Sequence, residues 1–170
     1  MNECIVGLGA NLGDPLAAIV AAVDRLARRR DVRLRRCSAI YRSAPVGPAG
    51  QPDYLNAAIS IGTTLAPAAL LAELHRIEHD AGRQRDTRWG ARTLDLDLLM
   101  VAGVESQTPQ LTLPHPHIGE RNFVLAPLID LLGPEYDFRG LRLADWLERA
   151  PANRLELTDF ALAPDRDATP

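Results

Sequence analysis

The chain has 170 residues with 19 Arg, no Lys and 22 Asp or Glu, which gives a formal net charge of −3. The absence of Lys excludes a phosphate-binding loop ending in Gly-Lys-Ser/Thr, a protein-kinase strand lysine and Schiff-base chemistry. The nearly balanced charge gives no general attraction to nucleic acid or membranes, and the two cysteines, Cys4 and Cys37, indicate neither a disulfide framework nor a thiolate zinc site.

The length predicts one domain over residues 1–160, with a flexible tail over 161–170. We expect a cytoplasmic monomer with no membrane or nucleic-acid partner.

The first part of the chain alternates strand and helix signals. Residues 4–8 form a short apolar run that predicts a buried strand ending at glycines. Residues 14–26 begin with Asp-Pro, a helix-start signal, and then place apolar residues at helical spacing. Residues 32–41 alternate apolar and polar side chains, which predicts a strand with one wet face, and the Pro/Gly-rich residues 44–52 predict a loop.

The next part repeats this order. Residues 54–63 predict a strand, residues 67–81 a helix stopped by Gly82, and residues 94–101 a strand that follows a polar, Arg-rich loop. The order strand, helix, strand, strand, helix, strand predicts an α+β fold of the ferredoxin-like βαββαβ type, with an antiparallel sheet and the helices on one face.

A C-terminal extension follows this core. It contains a Pro/His segment and two helical patterns, near residues 124–132 and 143–149.

An Asp-Leu-Asp pattern in the last predicted core strand is the strongest chemical signal. Side chains alternate between the faces of a strand, so Asp95 and Asp97 point one way, whereas Leu94, Leu96 and Leu98 point into the core. Two carboxylates roughly 7 Å apart on one face repel each other unless a cation lies beside them, and oxygen ligands suit Mg²⁺. The alternative for an isolated pair is a solvated acidic face.

Four arginines and one tryptophan precede or overlap this pattern. They are Arg83, Arg85, Arg88, Arg92 and Trp89. An acid pair beside guanidinium groups and an aromatic ring is what a metal-bound polyphosphate next to a flat ligand requires. The cluster therefore favours the functional interpretation of the acid pair.

Two histidine patterns leave alternatives open. His115 and His117, with Arg121 nearby, can add donors to the same anion, or the two histidines can bind zinc, although no third ligand has suitable spacing. Residues 75–79, which include Glu78, match an inverted zinc-protease pattern, and a surface helix is the alternative interpretation.

Two further segments are compositionally unusual. Residues 7–13 nearly match a dinucleotide-binding fingerprint, but the glycine spacing differs, and we interpret them as tight-turn glycines. The basic run over residues 28–36 predicts a solvated surface. Its alternative is an RNA-binding ferredoxin-like domain, yet the strand over residues 4–8 offers no aromatic ring on which bases could stack.

Four segments, in order, resemble the 6-hydroxymethyl-7,8-dihydropterin pyrophosphokinase family of folate biosynthesis. They are residues 7–14 (GLGANLGD), 51–57 (QPDYLNA), 77–97, which end in RWGARTLDLD, and 114–123. Together they place the resemblance over residues 4 to about 150. It implies transfer of pyrophosphate from ATP to the hydroxymethyl group of 6-hydroxymethyl-7,8-dihydropterin, giving AMP and the dihydropterin diphosphate, with two Mg²⁺ ions as cofactors.

The resemblance also implies three groups of site residues. The catalytic residues would be Arg83, Arg92, Asp95, Asp97 and His115, with Asp95 and Asp97 as the Mg²⁺ ligands. The ATP contacts would be Glu78, Arg85, Arg88, Trp89, Thr112, His115 and Arg121. The pterin contacts would be Ser43, Ala44, Val46, Tyr54, Asn56, Trp89 and Phe123. Asp97 and His115 are both candidates for a general base.

The chain departs from the family pattern at a few positions. Ala10 stands where Ser is common, Gln110 where some members carry a basic residue, and Pro116-His117 where an aromatic residue or Arg can occur. The loop over residues 83–89 is also about one residue shorter than in some relatives. These differences concern individual ATP contacts and leave the acid pair intact.

Overall fold

A computed structural model describes residues 1–47, 49–82 and 92–162. Its core elements follow the predicted order: β1 (Asn2–Ala10), α1 (Pro15–Ala27), β2 (Val32–Cys37), β3 (Ala39–Ser43), β4 (Tyr54–Thr63), α2 (Pro67–Asp80) and β5 (Asp95–Val101). The extension contributes β6 (Ser106–Gln107), β7 (Thr112–Leu113), a 3₁₀ turn (Ile118–Glu120), α3 (Asn122–Leu132), β8 (Asp137–Phe138), β9 (Leu141–Arg142), α4 (Leu143–Arg149) and β10 (Leu155–Ala161).

The main sheet is antiparallel throughout. Its central strand β1 lies between β4 and β5, and the far side of β4 is paired by β2 along one half and by β3 along the other. β10 then pairs with β3 and widens the sheet at that end. Without β10 this is the ferredoxin-like order, so the predicted α+β fold is confirmed.

Ser38 divides the strand predicted over residues 32–41 into β2 and β3. Its backbone N–H donates to the Ala58 carbonyl oxygen at 2.9 Å, and its hydroxyl accepts from the Ala58 N–H at 2.8 Å. The buried hydroxyl therefore replaces one regular pairing contact with β4 and interrupts the strand.

β1 extends beyond the predicted glycine boundary, so the interpretation of Gly7 and Gly9 as turn glycines was wrong. Both lie inside β1, and both are paired with residues of β4 and β5. Hydrogen bonding on both sides holds them extended, which outweighs the low strand propensity of glycine. Only Gly13 of this segment has a positive φ, +66°, as a turn requires.

Two hydrophobic layers cover the sheet. α1 and α2, the two helices of the βαββαβ core, lie on one face, where Val6, Leu8 and Leu96 pack with Leu26 and Leu74. α3, from the extension, packs against the opposite face.

That second layer contains Ile5, Leu99 and Met100 of the sheet with Leu125 and Leu128 of α3. Neighbouring side chains such as Ile5 and Val6 of β1 therefore enter different cores, as the two-residue strand period requires, whereas Leu99 and Met100 enter the same core where the pairing register shifts.

Local signals fix the helix ends. The Asp14 carboxylate caps α1 by accepting from the Ala17 N–H at 3.0 Å, and Pro15 occupies the first turn. α2 stops before Gly82, whose φ is +81°. α3 begins two residues earlier than predicted, at Asn122.

The basic run over residues 28–36 is not uniformly a solvated surface. Arg29 pairs with Asp31 and with Glu73 of α2, and thereby joins the two core helices. Arg36 is exposed, yet its guanidinium donates to the carbonyl oxygens of Asp130, at 3.0 Å, and Leu131 at the C-terminal end of α3.

The folded chain reaches slightly beyond the predicted tail boundary at residue 160. Ala161 ends β10 and the Leu162 side chain is buried, while the rest of that segment lies outside the described residues. No helix among the described residues is both long and apolar enough to cross a membrane.

Candidate functional site

Three neighbouring strands bring polar side chains into one row. Gly9 of β1 is the register partner of Asn56 in β4 and of Asp95 in β5, and two residues earlier Gly7 faces Asp97. Antiparallel pairing therefore places the predicted pterin-reading amide and the acid pair on either side of a strand that carries no side chains at these positions.

A cleft opens over this row. Its wider part is lined by Gly9, Ser43, Ala44, Val46, Tyr54, Asn56, Arg92, Asp95, Arg121 and Phe123, and an adjoining part includes Gly7, Asp97, Leu99 and Val124. All the described residues predicted to contact pterin thus share one cleft with the acid pair.

The acid pair fits a divalent cation. Asp95 and Asp97 supply carboxylate oxygens on the cleft face of β5, whereas Leu96 and Leu98 are buried in the opposite layer, as predicted. A Cβ added at Gly9 would lie 4.0 Å from the Asp95 Cβ, so glycine at this position places no side chain beside that carboxylate. Hard oxygen donors beside open space suit Mg²⁺.

Arg92 pairs with one of the two carboxylates. Its guanidinium contacts Asp95, and both side chains are largely shielded from solvent. Burial opposes the charged form of Arg92, but the Asp95 carboxylate outweighs this effect and raises the arginine pKa above its ordinary value. A permanent positive charge therefore lies just before the first residue of β5.

The Asn56 carboxamide is held in a defined orientation. Its Nδ2 donates to the Ser43 Oγ at 2.9 Å, and a Cβ placed on Gly9 would lie 3.6 Å from its Oδ1. The buried amide thus offers an oriented hydrogen-bonding edge to a ligand. Phe123 provides an aromatic face in the same cleft, with the Arg121 guanidinium carbon 6.0 Å from its ring centroid.

His115 is a neutral histidine at physiological pH. Burial lowers its pKa to about 4, and the nearby positive charge of Arg121 acts in the same direction, partly opposed by Asp95. Its Nδ1 accepts from the His117 N–H at 3.3 Å, so the ring proton resides on Nε2. His115 can therefore donate a hydrogen bond without adding charge to the site.

Some predicted residues lie elsewhere. Thr112 is exposed in β7, and the Glu78 carboxylate is buried on the helix-facing side of β5, where it accepts from the Leu96 N–H at 2.7 Å. Neither lines the cleft, and His115 is not among the lining residues either, so the roles of all three as ATP contacts stay predictions. The remaining predicted contacts, Arg83, Arg85, Arg88 and Trp89, lie outside the described residues.

Asn11 was not predicted as a site residue, although it ties two site loops together. Its Oδ1 accepts from the Arg92 N–H at 2.8 Å, and its Nδ2 donates to the Pro52 carbonyl oxygen at 3.0 Å. The side chain is almost fully buried. No spacing pattern marked it, because both partners are distant in sequence.

The structure gives no support to the alternative functions. His75 and His79 are exposed on α2, whereas Glu78 is buried, so the side chains of the zinc-protease pattern do not converge. Among the described residues, no group of three or more His, Cys, Asp or Glu side chains could hold a metal ion. Among the described residues, α1 and α2 cover one face of the main sheet and α3 packs against the other, which does not favour an RNA-binding sheet surface.

Comparison with known proteins shows which family the chain resembles. Residues 5–133 match the 7,8-dihydro-6-hydroxymethylpterin-pyrophosphokinase (HPPK) family. A Pseudomonas aeruginosa protein named 2-amino-4-hydroxy-6-hydroxymethyldihydropteridine pyrophosphokinase is 47% identical over 131 residues, which cover 77% of this chain and 81% of that protein. The Haemophilus influenzae protein of the same name is 43% identical over 131 residues, covering 77% and 82%.

Solved structures agree on the fold. Wild-type HPPK-DHPS of Plasmodium falciparum, crystallised with pteroate, aligns with a TM-score of 0.67 at 13% identity, over 87% of this chain. Because this chain spans only 42% of the length of that protein, and identity is low, the likeness concerns the architecture alone. On the family match and the close relatives, the chain belongs to the 7,8-dihydro-6-hydroxymethylpterin-pyrophosphokinase family.

Proposed function

We propose that the protein transfers pyrophosphate from ATP to the hydroxymethyl group of 6-hydroxymethyl-7,8-dihydropterin, as a cytoplasmic monomer. The observation that carries this proposal is the row across three strands, in which Asn56 and Asp95 flank Gly9. Membership of the HPPK family and relatives that bear the pyrophosphokinase name support it.

The pterin occupies the wider part of the cleft. Its amide-rich edge meets the Asn56 carboxamide, which offers both a donor and an acceptor, and its ring lies against Phe123. Because the Asn56 amide is oriented by Ser43, little ordering of this side chain is needed on binding.

The reaction joins the hydroxymethyl oxygen to the β-phosphorus of ATP. The bond between that phosphorus and the oxygen bridging to the α-phosphate breaks, AMP departs with the bridging oxygen, and the hydroxyl proton is released. Arg92 and Arg121 line the cleft, so their fixed charges stabilise the charge that develops on the transferring group. His115 donates from Nε2 to a phosphate oxygen without charge.

Asp95 and Asp97 would hold two Mg²⁺ ions with the triphosphate. Bound there, the ions would neutralise phosphate charge and align the attacking and leaving oxygens. The ion pair with Arg92 orients the Asp95 carboxylate for this task.

Product identification tests the proposal. The protein is incubated with ATP, Mg²⁺ and the hydroxymethyl dihydropterin, and the nucleotides are separated by chromatography. AMP should accumulate in a 1:1 ratio with dihydropterin diphosphate and only when the pterin is present. Formation of ADP, or no turnover, would contradict it. Analytical ultracentrifugation of the same sample tests the monomeric state.

A further inference from the structure

The C-terminal segment around β10 borders the pterin pocket, although it lies beyond the family match, which ends at residue 133. β10 pairs with β3, and Leu155 is the register partner of Ser43. Ser43 in turn accepts the hydrogen bond that orients Asn56. Ser43 therefore links β10 to Asn56, the side chain proposed to bind the edge of the pterin.

Asn153 connects two segments that line this pocket, the end of β3 and the start of α3. Its Nδ2 donates to the Ala44 carbonyl oxygen at 2.9 Å, on the wall formed by the end of β3. Its own carbonyl oxygen accepts from the Asn122 Nδ2 at 2.7 Å, at the start of α3. Asn122 directly precedes Phe123, the aromatic residue that lines the same pocket.

Neighbouring contacts reinforce the same wall. The Ala44 N–H donates to the Arg154 carbonyl oxygen at 3.1 Å, so the peptide groups on both sides of the Ala44 Cα are held by the C-terminal segment. The Arg154 guanidinium also pairs with Asp53 at 2.6 Å, where the loop after β3 returns to β4. That ion pair is about half exposed on the arginine side, so it contributes much less than the shielded contacts of Asn153.

We propose that Asn153 is a positioning residue that sets the width of the pterin pocket. This inference rests on the proposed function, because it assumes that the pterin binds between Asn56 and Phe123. The bridge from Ala44 through Asn153 to Asn122 joins two elements that no regular strand pairing connects. A pocket held at the right width before binding avoids an ordering cost when the flat ring enters.

Substitution by alanine removes one side-chain hydrogen bond and leaves the Asn122 contact to the Asn153 backbone in place. One net hydrogen bond corresponds to a change of about three- to tenfold in an equilibrium constant. We therefore expect N153A to raise the KM for pterin about three- to tenfold, while the KM for ATP and kcat change less than about twofold. A residue that only stabilised the fold would lower the amount of active enzyme and leave KM unchanged.

Asn2 provides a matched control. Its Nδ2 likewise donates to a distant backbone carbonyl, that of Leu65 at 2.8 Å, and it too is partly buried, but it lies at the far end of the sheet. N2A should keep the wild-type KM for pterin. If N153A and N2A give the same KM values as the wild type, the proposal is overturned.

Two further variants keep the test decisive. N153D preserves the shape but replaces the donating amide with an acceptor, so it should raise the pterin KM even if N153A folds poorly. The double variant N122A/N153A should raise the KM no more than the worse single variant, because both break one bridge. Additive effects on the KM would show that the two residues do not act through one bridge, and would overturn the proposal. Failure of the proposed function is separate, since it would appear as no AMP formation by the wild-type protein.

Discussion

Arg92 forms an ion pair with Asp95 at the point where the chain enters β5. The second carboxylate of the site, Asp97, lies two residues further along β5, opposite Gly7. The acid pair therefore lies beside the two glycines of β1, where the cleft opens.

D97A should lose activity by about 10²–10³-fold, because one carboxylate that holds the cation and its phosphate is removed. Its melting temperature should stay close to that of the wild type, because Asp97 lines the cleft and not the core. AMP formation at saturating Mg²⁺ and a thermal melt measure the two effects. D159A, on exposed β10, is the control, and wild-type turnover by D97A would exclude the metal role.

N11A should lower the free energy of unfolding by about 2–3 kcal/mol, because it deletes two shielded hydrogen bonds and leaves the Pro52 carbonyl and the Arg92 N–H without this partner. Urea denaturation measures the change. N11D can still accept from Arg92 but cannot donate to Pro52, so it should fall between N11A and the wild type. Equal stability of all three proteins would show that Asn11 does not join the loops.

Acidification should destabilise the protein through His115. Its pKa is about 4 in the folded chain and 6.5 ordinarily, so between these values the unfolded state binds more protons than the folded state. The contribution of this group to stability is therefore retained above pH 6.5 and lost as the pH falls towards 4. Urea midpoints from pH 7 to pH 4.5 should fall less steeply for H115Q than for the wild type. H79Q, at a largely exposed histidine, should keep the wild-type slope.

G119A should destabilise the extension by about 1–3 kcal/mol, because a Cβ there would lie 2.6 Å from the Trp146 ring. The ring is held in place by its Nε1 hydrogen bond to the Phe138 carbonyl oxygen at 2.7 Å, so it cannot withdraw freely. Thermal unfolding followed by tryptophan fluorescence measures the loss. G119A should lower the stability of a W146L variant less than it lowers the stability of the wild type, because the smaller leucine makes room for the added methyl group. Equal losses in both backgrounds would contradict the packing argument.

The sequence predicted the elements whose signals are local. The helix start at Asp14, the stop at Gly82 and the alternation of Asp95 and Asp97 with buried leucines each depend on a few neighbouring residues, and each is found in the structure. The same alternation predicted that both carboxylates share one face of β5, because successive side chains of a strand point to opposite faces.

Features created by distant partners were not predicted. Ser38 interrupts its strand through contacts with Ala58, and Gly7 and Gly9 are extended because strands flank them on both sides. β10 is largely exposed, so its own pattern indicated no strand, and its pairing with β3 defines it. Asn11 and Asn153 likewise bind carbonyl groups 41 and 109 residues away.

The position of β10 also has a consequence for how the protein is made. The ribosome releases β3 long before β10, whose Thr158 bonds the Ile40 carbonyl across 118 residues. The central strands and both core helices emerge earlier and can bury their apolar faces while synthesis continues. The segment around Ala44 then gains its β10 contacts after the central strands have emerged, so a nascent chain can acquire a compact interior before this part of the binding site is complete.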